Sequence, residues 1–326
     1  MNGLSSLPVW ARHAARLKST VAALGLIAAV AFQPAPAMAQ SSPAASARAA
    51  AAAPVLAPDG GPGLWVIRDA DSTLYLYGTV HVLRPQTVWR WGDVERAFDS
   101  ADQIWFEISN PDDQAAMVPL IQQYGVSPDR PLDTLLTAAE NTELTEAANA
   151  INVPPARMNV FRPWLAGLTL SMAPLVKAGY DPQSGVELSL KARAEAAGKP
   201  IHGFETIDEQ VRILANLPEA EQLQFLRSVL DGYEDATTEL DGMVTSWSEG
   251  DVRAIERLGV TEMRRESPAI YRAMLTDRNT NWAGQIQTLL EGEGTAFIAV
   301  GAAHLVGPDS VQTILARRGV RAVRIH

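Results

Sequence analysis

Four residues of acid–base and metal-ligand type stand at the ends of apolar runs: His81, Glu107, Glu205 and His304. His81 closes the stretch Thr73-Leu74-Tyr75-Leu76-Tyr77-Gly78-Thr79-Val80-His81. His304 follows Thr295-Ala296-Phe297-Ile298-Ala299-Val300 within Gly301-Ala302-Ala303-His304-Leu305. Both stretches read as an apolar strand, then Gly-x-x-His, then a branched aliphatic residue. Two imidazoles delivered in the same way, 223 positions apart, could meet at one site. With one or two carboxylates they form a suitable ligand set for a divalent ion that keeps open positions. An ion so held lowers the pKa of bound water to about 7 and polarises a carbonyl, which is hydrolytic chemistry. A neighbouring carboxylate could serve as general base. Arg162, beside Pro163-Trp164, and Arg278, beside Asn279, could stabilise a developing oxyanion.

Each of these residues also has a plainer reading. Histidines at strand ends can simply bond to loop backbone, and Glu107 and Glu205 could sit at a solvated rim. Arg162 could pair with a helix carboxylate. His202 shares a strand face with Phe204 and reads as structural, while His326 is terminal. No Gly-rich phosphate loop, Gly-x-Ser-x-Gly elbow or His-Glu-x-x-His helix occurs.

The elements that must position these groups can be read from periodicity and breakers. Leu64–Asp69 and Thr73–Tyr77 read as a hairpin around Ala70-Asp71-Ser72, the second strand stopping at Gly78. Asp93–Ser100 reads as a helix, Gln103–Ile108 as a strand, and Asn110-Pro111 opens a helix to about Tyr124. Thr142 is expected to cap a helix, and Pro154 and Pro163 to sit in the first turns of two others. Gly185–Ala197 reads as a helix, Pro200–Glu205 as a short strand, and Ile207–Leu290 as almost continuous helix. That helical stretch breaks at Pro218, Gly232, Gly250 and Pro268. The strand Thr295–Val300, a helix over Asp309–Arg318 and a last strand over Val320–Ile325 follow. The expected fold class is therefore α/β (α+β): one central mixed sheet with a large helical insertion.

Composition narrows the possible roles. The chain has 326 residues, 47% hydrophobic and 20% charged, enough for a substantial core. Residues 1–39 carry Arg12, Arg16 and Lys18, no acid, an apolar stretch Val21–Phe32 and the small-x-small pattern Ala37-Met38-Ala39. This reads as an export signal cleaved after Ala39, implying a periplasmic protein; a membrane contact would follow only from an uncleaved segment. Residues 40–62 form an Ala/Pro/Ser-rich linker, and residues 63–326 the folded domain. Without residues 1–39 the formal charge is −13 (37 acidic against 24 basic residues), which speaks against a nucleic-acid partner. There is no cysteine, so thiol catalysis and thiolate metal sites are excluded.

Several short motifs, in order, resemble those of the TraB/GumN family, related to the Tiki proteases. They are Leu64-Trp65-Val66 leading to Tyr77-Gly78-Thr79-Val80-His81, Glu107 ending the next strand, Arg162-Pro163-Trp164 and Gly179-Tyr180-Asp181. Then come Gly198-Lys199-Pro200-Ile201, Gly203-Phe204-Glu205-Thr206 with Gln210, Arg278-Asn279 with Trp282, and Val300-Gly301-Ala302-Ala303-His304-Leu305 with Gly307. Phe204 stands where the family usually has leucine. The resemblance implies a fold similar to the erythromycin-esterase and haem-binding ChaN-like group. It also implies divalent-metal-dependent peptide hydrolysis, with Mn, Co or Zn held by His81, Glu107 and His304, and Glu205, Arg162 and Arg278 as catalytic groups. The expected substrate is a peptide or a small amide or ester. Two alternatives keep the same residues: a metal-independent His/Glu esterase-type hydrolase, and a non-catalytic module binding a peptide or haem-like ligand.

Overall fold

Alternation along the strands builds two apolar faces. In the strand Ser72–Thr79 (β2), Leu74 and Leu76 point to one face and Tyr75 and Tyr77 to the other. In Gly294–Gly301 (β5), Ala296, Ile298 and Val300 oppose Phe297 and Ala299 in the same way. The computed structural model describes residues 61–325; the expected export signal and nearly all of the linker lie outside them. The remaining strands are Leu64–Arg68 (β1), Gln103–Ile108 (β3), Ile201–Glu205 (β4) and Val323–Arg324 (β6). Together they form one mixed sheet in the order β4-β3-β5-β2-β1-β6.

Four adjacent strands, from the edge strand β4 to β2, run parallel, with β3 paired to both β4 and β5 and β5 paired to β2. β1 is antiparallel to β2 and to β6, completing the expected hairpin and closing that edge. β2 runs through Gly78 to Thr79 rather than stopping at the glycine. Gly78 pairs with Val300 and Thr79 with Gly301, so the neighbouring parallel strand holds the extra residues extended.

One face of the sheet is covered by the helices Asp277–Leu290 and Val311–Arg317, which bury Trp282, Ile286, Ile314 and Leu315 against it. The other face carries Tyr77, Phe106 and Phe297. Its core continues without a break into the helical middle through Trp164, Phe225 and Trp247. The helix Pro163–Lys177 is buried along nearly its whole length and is the spine of that layer. Among the described residues no helix is long and apolar enough to cross a membrane.

Two local expectations are corrected. Thr142 does not cap a helix: it lies inside Ala138–Ala150, where its hydroxyl donates to Ala138 O at 3.1 Å. The cap is Thr137, which forms a capping box with Glu140. The last strand is only Val323–Arg324, shorter than the apolar run suggested, because β1 offers it just two pairs.

Candidate functional site

The C-terminal ends of the four parallel strands lie side by side, and each supplies one of the groups singled out by sequence. Across the sheet the order is Glu205 (β4), Glu107 (β3), His304 (after β5) and His81 (after β2). Ligand sites in open α/β sheets gather at this edge, where strands fix the backbone and the following loops turn away. Both imidazoles converge on one oxygen. His81 Nε2 lies 3.8 Å and His304 Nε2 3.7 Å from Glu107 Oε1. That oxygen accepts the Gly301 N–H at 2.9 Å. A Cβ on Gly301 would stand 3.2 Å from Glu107 Oε1 and 3.3 Å from His81 Nε2, so the glycine leaves the space between the three groups free.

Arg278 ties the two glutamates together. Its Nη2 donates to Glu107 Oε2 at 2.7 Å and to Glu205 Oε2 at 2.8 Å, and its Nε to Glu205 Oε1 at 2.9 Å. Nη1 reaches Met274 O at 3.2 Å and His304 Nε2 at 3.2 Å. Met274 belongs to the π-helical turn Arg272–Thr276, whose wider winding precedes the helix carrying Arg278, Asn279 and Trp282. Trp282 Nε1 donates to Glu205 Oε1 at 2.9 Å. All the strong acceptor positions of Glu205 are thus turned toward Arg278 and Trp282. In this placement it holds the guanidinium rather than facing a substrate.

Hydrogen bonding fixes the tautomer of His304. Asn279 Nδ2 donates to Asp309 O at 2.8 Å, which turns its Oδ1 toward His304 Nδ1, 2.6 Å away. An acceptor there requires a proton on Nδ1, so Nε2 presents its lone pair to Arg278 and to the space beside Glu107. Gln210 Nε2 completes the surroundings of Glu107, 3.3 Å from Oε2.

Arg162 is not brought to this cluster. Its guanidinium donates to Tyr124 O at 2.9 Å and Ala215 O at 3.0 Å, backbone carbonyls within the helical layer. His202 stacks on Trp105 with ring centroids 4.8 Å apart, as its structural reading expected.

Glu187 belongs to the cluster and was missed from sequence. It lies in the helix Val186–Ala196, only 4% exposed, and its Oε1 accepts from Thr79 Oγ1. The same oxygen lies 2.7 Å from His81 Nδ1, a short ion-pair contact that is bent away from good hydrogen-bond geometry. The helix start is docked directly on the loop after β2. Val186 N donates to Val80 O at 3.1 Å and Asp181 N to Leu83 O at 2.9 Å. Gly185 packs so closely that a Cβ would come within 2.3 Å of His81 O. One sequence signal was present: Glu187 falls on the buried face of its helix with Leu190 and Ala194, three and seven residues on.

Burial sharpens the electrostatics. Burial alone would lower the His81 pKa, but the Glu187 carboxylate, with Glu107 behind it, outweighs this and pushes it up to about 9. His304 goes the other way. Burial, reinforced by the charges on Arg278 and His81 and only partly opposed by Glu107, brings it down to about 3. Burial would raise Glu107, yet Arg278 and the two imidazoles hold it well below the usual carboxylate range. Burial keeps Glu205 above its ordinary value despite Arg278.

The donor set suits a divalent ion in kind and in convergence: two imidazole nitrogens and one carboxylate oxygen surround the space over Gly301. Glu107 and Glu205 share the Arg278 guanidinium, while Glu187 faces the His81 imidazole that it holds protonated. The donors are not closed in. Ligands about 2.1 Å from one ion stand roughly 3.0–3.4 Å apart, somewhat less than the 3.7 and 3.8 Å seen here. Accordingly, among the described residues no group of three His, Cys, Asp or Glu has the spacing of a preformed metal site.

Fold and site together define a class of protein. A mixed α/β sheet presents a His/Glu/Arg cluster at its parallel strand ends, beneath a helical layer. Within that class the chain belongs to the TraB/PrgY/gumN family, whose model matches residues 63–324. It is similar to an uncharacterized protein of Treponema pallidum (strain Nichols), 22% identical over 268 residues, which are 78% of this chain and 80% of that one. It is also similar to the uncharacterized protein YbaP of Escherichia coli (strain K12), 21% identical over 184 residues, 56% of this chain and 67% of YbaP. No solved structure matches it.

Proposed function

We propose that the protein is an exported, metal-dependent hydrolase of peptide or amide bonds. The observation that carries this reading is the convergence of His81 Nε2 and His304 Nε2 on Glu107 Oε1 over the bare Gly301. His81, Glu107 and His304 would hold Mn, Co or Zn. When bound, such an ion lowers the pKa of a water and polarises the scissile carbonyl. The chain's own residues supply the rest. Asn279 and Asp309 O hold His304 in the tautomer whose Nε2 carries the lone pair a ligand needs, the one that Arg278 Nη1 contacts at 3.2 Å. Glu187 steadies His81 from the far side of its ring, as carboxylates do behind ligating histidines. Arg278 and Gly301 N–H fix both oxygens of Glu107. His81 and His304 line the cavity that opens beside them, whereas Glu107, Glu205 and Arg278 stand behind it.

One observation favours a second, metal-independent reading. The surroundings drive the two histidines apart, one held protonated and one neutral, which is how an acid–base pair is set up on one fold. In that reading, His304 and His81 exchange protons with an ester or amide directly.

Metal content and turnover measured on one sample separate these readings. Full-length protein stripped with chelator should hydrolyse acyl p-nitroanilides and a mixed peptide pool only after Mn, Co or Zn is restored. Uptake should be about one ion per chain, and His304→Ala or Glu107→Gln should lose it. Turnover that survives complete stripping would establish the metal-independent reading instead. Tight peptide binding with no turnover in any metal state would leave a binding module.

A further inference from the structure

A cavity of about 30 Å³ opens directly from the two imidazoles into the helical layer. Its floor is His81 and His304 with Gly301, and its walls are Leu240, Met243, Trp247 and Ile255. Gly259 lines it as well. No Asp, Glu, Lys or Arg faces it, although the carboxylates and the guanidinium lie immediately behind the histidines. A cationic group entering this space would lose its hydration and meet the protonated His81 at the floor, whereas an aliphatic group would lose nothing. The volume has room for about a methyl or an ethyl group.

We infer that this cavity is a specificity pocket for one small, uncharged aliphatic group attached next to the bond that is cleaved. The inference rests on the hydrolase reading for its direction, since the pocket and the imidazoles share a wall. Its walls differ in stiffness. Trp247 is pinned by a 2.7 Å hydrogen bond from Nε1 to Gly78 O, so the indole cannot turn aside. Met243 is the adaptable wall, a flexible thioether that lines the cavity. Gly259 stands against it, in the π-helical turn Glu256–Thr261, and a Cβ there would lie 3.1 Å from the Met243 methyl. The pair Met243 and Gly259 therefore selects the length of the accepted group. Shortening Met243 lengthens the pocket, and adding a side chain at Gly259 fills it.

The test uses two readouts on the full chain. The first is binding without turnover, followed on the ¹³C-labelled methionine methyl of Met243, assigned by its loss in Met243→Leu. Propionamide should shift that signal, and β-alaninamide, which carries a positive charge, should not. The second is turnover of acetyl, propionyl, butyryl and β-alanyl p-nitroanilides. The native chain should prefer acetyl or propionyl to butyryl by roughly tenfold per misfitting methylene. Met243→Ala should move the optimum to butyryl, and Gly259→Ala should narrow it to acetyl. The two variants shift the preference in opposite directions, which general damage to the fold would not do. Equal response of the Met243 methyl to β-alaninamide, or an unchanged chain-length preference in both variants, overturns the pocket. If no anilide is cleaved in any metal state while the methyl still follows the uncharged amides, the hydrolase reading fails and the pocket stands. If anilides are cleaved while the methyl remains silent, the hydrolase reading stands and the pocket falls.

Discussion

Replacing Arg278 by methionine removes the guanidinium from between Glu107 and Glu205 and leaves both carboxylates buried without their main partner. Breaking a buried pair from one side in this way costs about 3–5 kcal/mol. The urea midpoint of Arg278→Met should drop accordingly, with Arg278→Lys falling between it and the native chain because lysine keeps the charge and loses the fork. The histidines make a separate prediction for the metal-free chain, with the sign worked out for each. His304 has its pKa depressed to about 3 in the fold, so its contribution to stability is complete above its ordinary 6.5 and is lost as pH falls toward 3. His81 is raised to about 9, so its contribution is complete below 6.5 and is lost as pH rises through 9. Stability in chelator should therefore peak near neutrality, with Glu107 steepening the acid side. His81→Gln should flatten the alkaline limb specifically. A native curve that keeps rising from pH 7 to 9 would mean that Glu187 does not hold His81 charged.

At the scale of elements, what places His81 is not its own strand but the helix docked beside it. A methyl at Gly185 would meet His81 O at 2.3 Å, so Gly185→Ala must push the helix Val186–Ala196 away from the loop after β2. Overpacking of this kind typically costs about 1–3 kcal/mol. The variant should lose metal uptake as well, because Glu187 travels with the helix; unaltered uptake would show that Glu187 plays no part. This contact also shows where sequence reading stops. The four strand-end groups were legible because strands announce themselves by alternation, and Gly-x-x-His marks where two of them end. Glu187 was not, since a glutamate in the first turn of a helix is ordinarily a solvated residue. Only the docking of that turn onto Val80 and Leu83 makes it a buried one. Arg162 failed for the mirror reason. A short motif marked it as chemical, yet its donors are spent on the carbonyls of Tyr124 and Ala215 that hold helices together. The π turn at Arg272–Thr276 has no sequence signature of its own, so the aim of Arg278 toward the strand ends could not be read in advance.

For the whole molecule, the three donors come from opposite ends of the folded chain: His81 follows β2, Glu107 ends β3 and His304 follows β5. The strands themselves are adjacent, but while β2 reaches β3 through the single helix Gly92–Ser100, the connection from β3 to β5 passes through the entire helical layer. An ion bound by all three would therefore bind only the assembled sheet, and none of the unfolded chain with comparable strength. Linkage then requires the ion to stabilise the fold as a whole, by about 2.7 kcal/mol when present at a hundred times its dissociation constant. The melting temperature should rise with added Mn, Co or Zn in the native chain. It should stay level in His81→Ala and in His304→Ala alike, although these residues lie on different sides of the chain's helical middle. A rise that persists in both variants would place the ion elsewhere on the surface. No rise with any of the three ions, in protein whose fold is intact, would remove the metal from the site and leave His81 and His304 to act as the pair whose pKa values Glu187 and burial drive apart.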